Sequence, residues 1–192
     1  MRGTTSKQRD AHGSRRAGRR RSLTTIAIAA VFALATVAAA YGSAPEAAGP
    51  DAAQRDLAQV RAAVAQYHTP ERAEAAGWGL VPGLDHCFEH DELGGMGYHY
   101  IHEDRLGDPT LDPLRPEALV FVAGPNGQQR LGAVEYIVPV DLWDGPDRPS
   151  VLGQELDLLE PVPGVEVYGL HVWLFERNPD GMFAHWNPRV SC

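Results

Sequence analysis

The clearest strand pattern in the chain covers residues 165–175. Most of its positions are β-branched, aliphatic or aromatic on both alternating faces, which is typical of a strand covered on two sides. We therefore expect this strand at the centre of the sheet. One imidazole, His171, interrupts the run. A polar ring among such neighbours has to be hydrogen-bonded, bound to a ligand or turned to a cavity, so His171 is the first candidate for a functional residue.

Shorter apolar stretches separated by turn residues predict the rest of the sheet. Strands are expected at 98–102, 117–123 and 129–140, with a hairpin turn at 124–127 between the last two. Gly132 predicts a bulge, and Pro139 predicts the end or edge of a strand. Further turns are expected at 94–97, 161–164 and 178–181, whereas residues 151–159 fit more than one structure.

The part of the chain that precedes these strands has a helical pattern. Residues 51–67 place Leu57, Val60, Val64 and Tyr67 on one stripe. Thr69 and Pro70 then begin a second, short helix that ends at Gly77. Helices followed by closely spaced strands indicate an α+β fold. We predict an N-terminal bent helix pair packed on an antiparallel, barrel-like β-sheet.

The N-terminus has the composition of an export signal. Residues 1–22 are rich in arginine, and an uncharged run follows at 23–40. The predicted organisation is an export signal at 1–40 cleaved after Ala40, a disordered tether at 41–50 and a single α+β domain at 51–192. Retention of the segment as an N-terminal membrane anchor is the alternative. The Arg20-Arg21 pair leaves both the general and the twin-arginine export routes open.

The remaining 152 residues are strongly acidic. Residues 41–192 hold nine arginines and no lysine against 24 acidic residues, which gives a formal charge of −15. We therefore expect no nucleic-acid partner, and no membrane contact beyond an N-terminal anchor. The lack of lysine excludes a Walker phosphate loop or a Schiff base in this part, and no Gly-x-Ser-x-Gly sequence is present.

The chain has two cysteines, Cys87 and Cys192, and both lie in the part predicted to be exported. A pair of cysteines in an oxidising compartment predicts a disulfide. This bond would join the start of the sheet region to the last residue of the chain.

Three ionisable residues each stand alone within an apolar strand: His99, Glu135 and His171. If the strands are neighbours in register, two imidazoles and a carboxylate can bind Zn²⁺, Fe²⁺, Mn²⁺ or Cu²⁺ with open coordination positions. His102 and Glu176 are candidates to join or replace one of them. Two alternatives stay open, a polar pocket without metal and a structural hydrogen-bonded pair. Several aromatic residues would suit either a core or a wall for a small apolar ligand: Trp173, Phe175, Phe183 and Trp186.

Two other patterns carry less weight. Residues 86–90 match the His-x-x-Glu-His sequence of inverted zinc peptidases, but turn residues on both sides leave no room for the helix which that chemistry needs. The acidic loops with Asp141, Asp144 and Asp147, or with Asp108 and Asp112, lack the spacing of a calcium-binding EF-hand and are expected to be solvated.

Several motifs in this order resemble a family of exported bacterial proteins of unassigned function. They are GGMGYHY at 94–100, PEALVF at 116–121, AVEYIVP at 133–139, LHVW at 170–173, NPDGMF at 178–183 and WNPRVSC at 186–192. The resemblance covers most of residues 41–192. It implies one secreted domain, and it implies no activity, ligand or catalytic residue.

The leading hypothesis is a secreted domain that binds a small molecule or a divalent metal in a pocket lined by His99, Glu135 and His171. An oxygenase-like or isomerase-like enzyme is one version of this hypothesis. The alternative is a non-catalytic interaction or structural domain of the cell envelope.

Overall fold

A computed structural model describes residues 50–192. The predicted export signal and all but the last residue of the predicted tether lie outside these residues. The helices are α1 (Pro50–Val64), α2 (Pro70–Glu74) and α3 (Glu103–Leu106), with short 3₁₀ turns at Ala65–Tyr67, Pro125–Gly127 and Val140–Leu142. Among residues 50–192, no helix combines the length and the apolar character that crossing a bilayer requires.

Eight strands follow the first two helices. They are β1 (Phe88–His90), β2 (Gly94–Ile101), β3 (Ala118–Ala123), β4 (Gln129–Pro139), β5 (Ser150–Val151), β6 (Gln154–Glu155), β7 (Asp157–Val162) and β8 (Val165–Val172). Six of them form one antiparallel sheet in the order β1-β2-β3-β4-β8-β7, while β5 and β6 form a separate small hairpin. The predicted α+β class with a barrel-like antiparallel sheet is confirmed.

The six-stranded sheet curls into a half-barrel. Strands β2 and β8 are separated by β3 and β4, so their backbones would lie about 14 Å apart in a flat sheet, at ~4.8 Å per strand. The Nε2 atoms of His99 on β2 and His171 on β8 are nevertheless 2.9 Å apart. Only the concave side of a strongly curled sheet brings such side chains together.

A β-bulge at Gly132 contributes to this curl. Val120 pairs with Ala133, but the next residue, Phe121, pairs with Leu131, which leaves Gly132 as the extra residue of β4. A bulge bends its strand and increases the local twist. The predicted bulge at Gly132 is confirmed.

The convex face of the sheet packs against the helices. Val60 and Val64 of α1 and Ala73 of α2 are buried there, and a fully buried valine side chain stabilises the fold by roughly 1.5–3 kcal/mol. The strand residues of this core share one face of the sheet, and they are Tyr100, Leu119, Phe121, Val134, Tyr136, Val138, Leu170 and Val172. The bent helix pair therefore lies where the sequence pattern predicts it. Thr69 precedes α2 in an extended conformation but makes no side-chain capping hydrogen bond.

The prediction that residues 165–175 form the central strand is wrong. Strand β8 ends at Val172 and is second from the edge, whereas β3 and β4 occupy the centre. Its apolar character reflects cover from other segments: the C-terminal residues fold back over it, and the Trp173 N–H donates to the Met182 carbonyl at 2.9 Å. Hydrophobicity therefore reports how well a strand is covered and not its position in the sheet.

Residues 94–97 form the first half of β2 and not the predicted turn. The C-terminal segment lies directly against these glycines: Gly95 N–H donates to the Val190 carbonyl at 2.8 Å, and Asn187 N–H donates to the Gly95 carbonyl at 3.0 Å. A Cβ atom at Gly94 would stand 2.3 Å from the Asn187 carbonyl oxygen. Glycine is required here for close approach of two backbones.

The region 151–164 also differs in detail from the sequence prediction. Strand β7 continues through Pro161 to Val162, so the turn is confined to Pro163 and Gly164. Because β7 is an edge strand, Pro161 removes no hydrogen bond from the interior of the sheet. The turn at 178–181 is present, with Gly181 N–H donating to the Asn178 carbonyl.

The C-terminal segment is tied to the sheet covalently. Cys87, just before β1, forms a disulfide with Cys192, 105 residues later in the chain. The predicted disulfide is confirmed. Val190 of this segment packs with Trp173 and with Val120 of β3 on the concave face, so the disulfide holds the cover of that face in place.

Candidate metal centre

The three lone ionisable residues meet on the concave face of the sheet. Glu135 on β4 pairs directly with His171 on β8, so their side chains leave the sheet on the same side. His99 on β2 approaches from across the half-barrel. All three are buried, with exposed fractions of 7% for His99, 6% for Glu135 and 0% for His171. The expectation that these residues converge is confirmed.

The three facing atoms form a compact triangle. His99 Nε2 and His171 Nε2 are 2.9 Å apart, and Glu135 Oε2 lies 3.4 Å from the first and 3.6 Å from the second. They are the one group of three such residues within ligand distance of each other among the residues that the structure describes.

The size of this triangle fits a metal ion. The point equidistant from the three atoms lies about 1.9 Å from each of them in their common plane. An ion displaced by about 0.7 Å from that plane reaches the ~2.0–2.1 Å typical of zinc–nitrogen bonds and of zinc–carboxylate bonds. All three ligands would then lie on one side of the ion and leave its other side open.

The hydrogen bond at His171 Nδ1 determines which ring nitrogen faces the triangle. His171 Nδ1 is 3.0 Å from the carbonyl oxygen of His185, and because a carbonyl can only accept, Nδ1 carries the proton. Nε2 of the neutral ring then presents a lone pair to the triangle. A backbone carbonyl behind a ligand imidazole is a common arrangement in metal sites.

The ring of His99 makes fewer hydrogen bonds than the ring of His171. Its Nδ1 is buried without a hydrogen-bond partner among residues 50–192. The Gly97 carbonyl favours the protonated ring but does not meet hydrogen-bond geometry.

Burial and the neighbouring His86 lower the pKa of His99 to about 4. Burial, followed by the neighbouring His99 and His185, also lowers the pKa of His171 well below its usual value. Both rings are therefore neutral at pH 7, as metal ligation requires.

Glu135 is the negatively chargeable member of the group. Burial, reinforced by Glu117, raises the pKa of Glu135 to about 8, and no arginine of residues 50–192 forms an ion pair with it. Its distances of 3.4 and 3.6 Å to the two imidazoles exceed the usual 2.5–3.2 Å of a good hydrogen bond. A divalent cation at the centre of the triangle would stabilise the carboxylate.

Gly169 makes room for this carboxylate. A Cβ atom at Gly169 would stand 3.2 Å from Glu135 Oε1 and 2.6 Å from Leu159 Cδ1. The pairing of β4 with β8 runs through Gly169 without a register shift, so Gly169 causes no bulge that would turn Glu135 or His171 to solvent. A glycine in a strand interior often marks such a close approach.

Two further residues named from the sequence do not join the centre. His102 packs edge-on against Trp78 with ring centroids 5.2 Å apart, away from the triangle. Glu176 forms an ion pair with Arg130 and lies 3.6 Å from Arg189, so its charge is already compensated. Neither residue belongs to the group that could hold an ion.

The other sequence patterns hold no metal group in the described residues. Residues 88–90 of the His-x-x-Glu-His sequence form strand β1, and Cys87 is in the disulfide, so the helix that an inverted zinc peptidase needs is absent there. The aspartates at 108, 112, 141, 144 and 147 likewise form no ligand cluster.

A cavity of about 400 Å³ adjoins this group of three residues. His99 and Glu135 line it, whereas His171 lies behind them with no exposed surface. Trp186 belongs to its wall, as the aromatic pattern suggested. Phe175 and Phe183 pack with the helix-side core instead, and Trp173 packs beneath the C-terminal segment.

His185 is the residue near this site that sequence reasoning missed. Its carbonyl accepts from His171, its Nε2 is 2.9 Å from Asp157 Oδ2, and its ring lines the cavity. It lies in an irregular segment after the turn at 178–181, where no periodicity predicts orientation. The one signal available was its closeness in sequence to a turn that reverses the chain after β8.

Comparison with known proteins adds no relative: no family model matches the chain, and no curated protein or solved structure matches it. The resemblance described from sequence motifs therefore stays a prediction. The site has to be interpreted from its own geometry.

Proposed function

We propose that this protein is an exported domain that binds one divalent transition-metal ion through His99 Nε2, Glu135 Oε2 and His171 Nε2. The observation that carries the proposal is the triangle of these atoms, with edges of 2.9, 3.4 and 3.6 Å. It accommodates an ion at bonding distance from all three. The hydrogen bond from His171 Nδ1 to the His185 carbonyl supports the proposal further, because it turns the Nε2 lone pair toward the ion.

The ligand set favours particular metals. Two imidazoles and one carboxylate suit Zn²⁺, Fe²⁺, Mn²⁺ or Cu²⁺, whereas Mg²⁺ and Ca²⁺ prefer an all-oxygen environment. The open coordination positions face the cavity, since His99 and Glu135 line it and His171 lies behind. A metal with open positions can polarise a bound oxygen or activate a water molecule, so an oxygenase-like or isomerase-like activity is compatible with this site.

The location of the protein is part of the same proposal. The Cys87–Cys192 disulfide supports an oxidising compartment, and the arginine-rich segment followed by an apolar run at 1–40 supports export. Cell fractionation with an antibody to residues 51–192 tests this part. Recovery of the reduced protein in the cytosol would contradict it.

Metal analysis of protein purified without an affinity tag tests the metal site. We expect about one ion per chain in the wild type and in the control His68→Ala, which removes an exposed imidazole ring that contacts only the Ala65 carbonyl of its own turn. His99→Ala and His171→Ala should lose the ion. Glu135→Gln keeps the shape of the side chain, so it tests the same point if the alanine variants fold poorly, and we expect roughly a hundredfold weaker binding or more.

A metal-free wild type after incubation with Zn²⁺, Fe²⁺, Mn²⁺ and Cu²⁺, or equal metal content in all variants, would overturn the proposal. One observation favours the alternative of a non-catalytic interaction or structural domain: the 2.9 Å contact between the two Nε2 atoms also has the length of a hydrogen bond. In that case the three residues form a polar cluster inside a cell-envelope domain.

A further inference from the structure

The cavity next to the proposed metal centre has one polar end and mostly apolar walls. His99 and Glu135 stand at its inner end. Its floor is formed by residues of the curled sheet, Ile101, Ile137 and Val167, and its sides by Leu84, Leu106 and Leu159. Apolar walls favour ligands with apolar surface, because that surface is removed from water when the ligand binds.

The charged groups around the cavity are few and already engaged. No arginine lines it among the described residues. Glu160 accepts the Gly164 N–H at 2.7 Å within the β7–β8 turn, and His185 contacts Asp157. Away from the metal, an anionic group on a ligand would therefore be buried without a cationic partner, and a cationic group would be repelled by the divalent ion, so both are costly.

The volume and rim of the cavity limit the ligand further. The cavity has a volume of about 400 Å³, in the lower part of the ~300–1,000 Å³ range of small-molecule sites. It is too small to enclose a polymer. Val165 at its rim is 48% exposed and Pro161 is also exposed, so the cavity opens beside the β7–β8 turn.

We infer that the cavity binds a small, uncharged, mainly apolar molecule that reaches the metal through a single donor atom. This inference rests on the proposed metal site and names the class of ligand that the site accepts. The donor atom takes an open coordination position on the side of the ion that faces the cavity. The apolar part of the molecule extends from there toward the rim.

Three probes that coordinate a metal through one imidazole nitrogen test the inference on the metal-loaded protein: imidazole, 4-phenylimidazole and 4-(imidazol-4-yl)benzoate, whose carboxylate is too far from the ring nitrogens to chelate the same ion. Calorimetry gives their affinities, and the absorption spectrum of Co²⁺-substituted protein reports coordination. We expect 4-phenylimidazole to bind at least about tenfold more tightly than imidazole, because its ring is removed from water against apolar walls. 4-(Imidazol-4-yl)benzoate should bind more weakly than 4-phenylimidazole, because its carboxylate lacks a cationic partner in the cavity wall.

A matched pair of variants shows where the phenyl ring lies. Val162→Trp narrows the cavity, whereas Leu158→Trp places the same side chain on the same strand at a residue that does not line the cavity. Val162→Trp should abolish the preference for 4-phenylimidazole and keep both the metal and imidazole binding. Leu158→Trp should leave all three affinities unchanged.

Metal content, measured on the same samples, separates the two proposals. Protein that holds its metal but binds imidazole as tightly as 4-phenylimidazole, or a preference that survives Val162→Trp, overturns the inference and leaves the metal site standing. Absence of metal from the wild type overturns the proposed function itself.

Discussion

The two faces of the same sheet do different work. On β4, Val134, Tyr136 and Val138 face the helices and are fully buried. The alternating residues Glu135 and Ile137 face the cavity instead. Because side chains of a strand alternate between faces, a single run of residues contributes to a close-packed core on one side and to the proposed metal site on the other.

The two faces also differ in how burial affects the free energy of folding. The helix side gains stability from apolar burial, whereas the concave side buries a carboxyl group and two imidazoles whose pKa values are all shifted toward the uncharged form. Such shifts mean that charge is disfavoured in the metal-free protein. A bound cation would offset the free-energy cost of the buried carboxylate, and it would do so on the concave face alone. The following changes test this difference between the two faces.

The largest contrast is expected from two leucine truncations. Leu119→Ala opens a hole in the fully buried helix-side core and should lower the free energy of unfolding by about 2–5 kcal/mol. Leu159→Ala is the matched change at a partly buried residue that already borders the cavity, so we expect less than about 2 kcal/mol. Urea denaturation of both metal-free variants measures the difference, and equal losses would show that the two faces are packed alike.

Removal of the disulfide should affect the concave face more than the helix face. Because the bond closes a loop of 105 residues, Cys87→Ser with Cys192→Ser should lower the free energy of unfolding by about 2–4 kcal/mol. The released C-terminal segment carries the His185 carbonyl that orients His171, so metal affinity should also fall, by roughly tenfold. Denaturation and metal titration of the same double variant check both effects. Unchanged metal affinity would show that the segment does not position the site.

The smallest of these effects concerns Glu117, a buried carboxyl group without a histidine beside it. Burial raises its pKa to about 7, against the hydrogen bond from the Ile137 N–H. Its usual pKa is 4.5, so folding disfavours its ionised form. The free-energy penalty for ionising Glu117 in the folded protein is absent below pH 4.5, grows as the pH rises and is complete above about pH 7. Glu117→Gln keeps an acceptor for Ile137 and should stabilise the protein by roughly 1–3 kcal/mol at pH 8, and by less toward pH 5.

Thermal or chemical unfolding at several pH values checks this dependence. Glu103→Gln, at an exposed residue, serves as the control and should show no such trend. A Glu117→Gln protein less stable than the wild type at pH 8 would mean that the carboxylate is compensated by a cation in the fold.

Much of this architecture follows from sequence because local chemistry fixes it. The Gly-Pro-Asn-Gly turn sets the pairing of β3 with β4, and the apolar strands leave His99, Glu135 and His171 as the conspicuous exceptions. A lone ionisable residue in an apolar strand has few stable surroundings, which is why these three could be named before their positions were known.

The remainder depends on contacts between distant segments. The place of β8 in the sheet follows from its pairing with β4 and β7. The strand formed by the glycines at 94–97 and the contact of His185 with His171 depend in part on the return of residues 178–192 over the concave face. No hydrophobic periodicity in residues 178–192 predicts where this segment docks. Glu176 could not be excluded from sequence either, because its partners Arg130 and Arg189 are distant in the chain.

Anomalous diffraction from crystals of metal-loaded protein, recorded at the absorption edge of the bound metal, tests the central claim most directly. The account predicts one strong peak within about 2.0–2.2 Å of His99 Nε2, His171 Nε2 and Glu135 Oε2. Fully loaded protein whose peak lies elsewhere, for example beside His86 or His90, would contradict it.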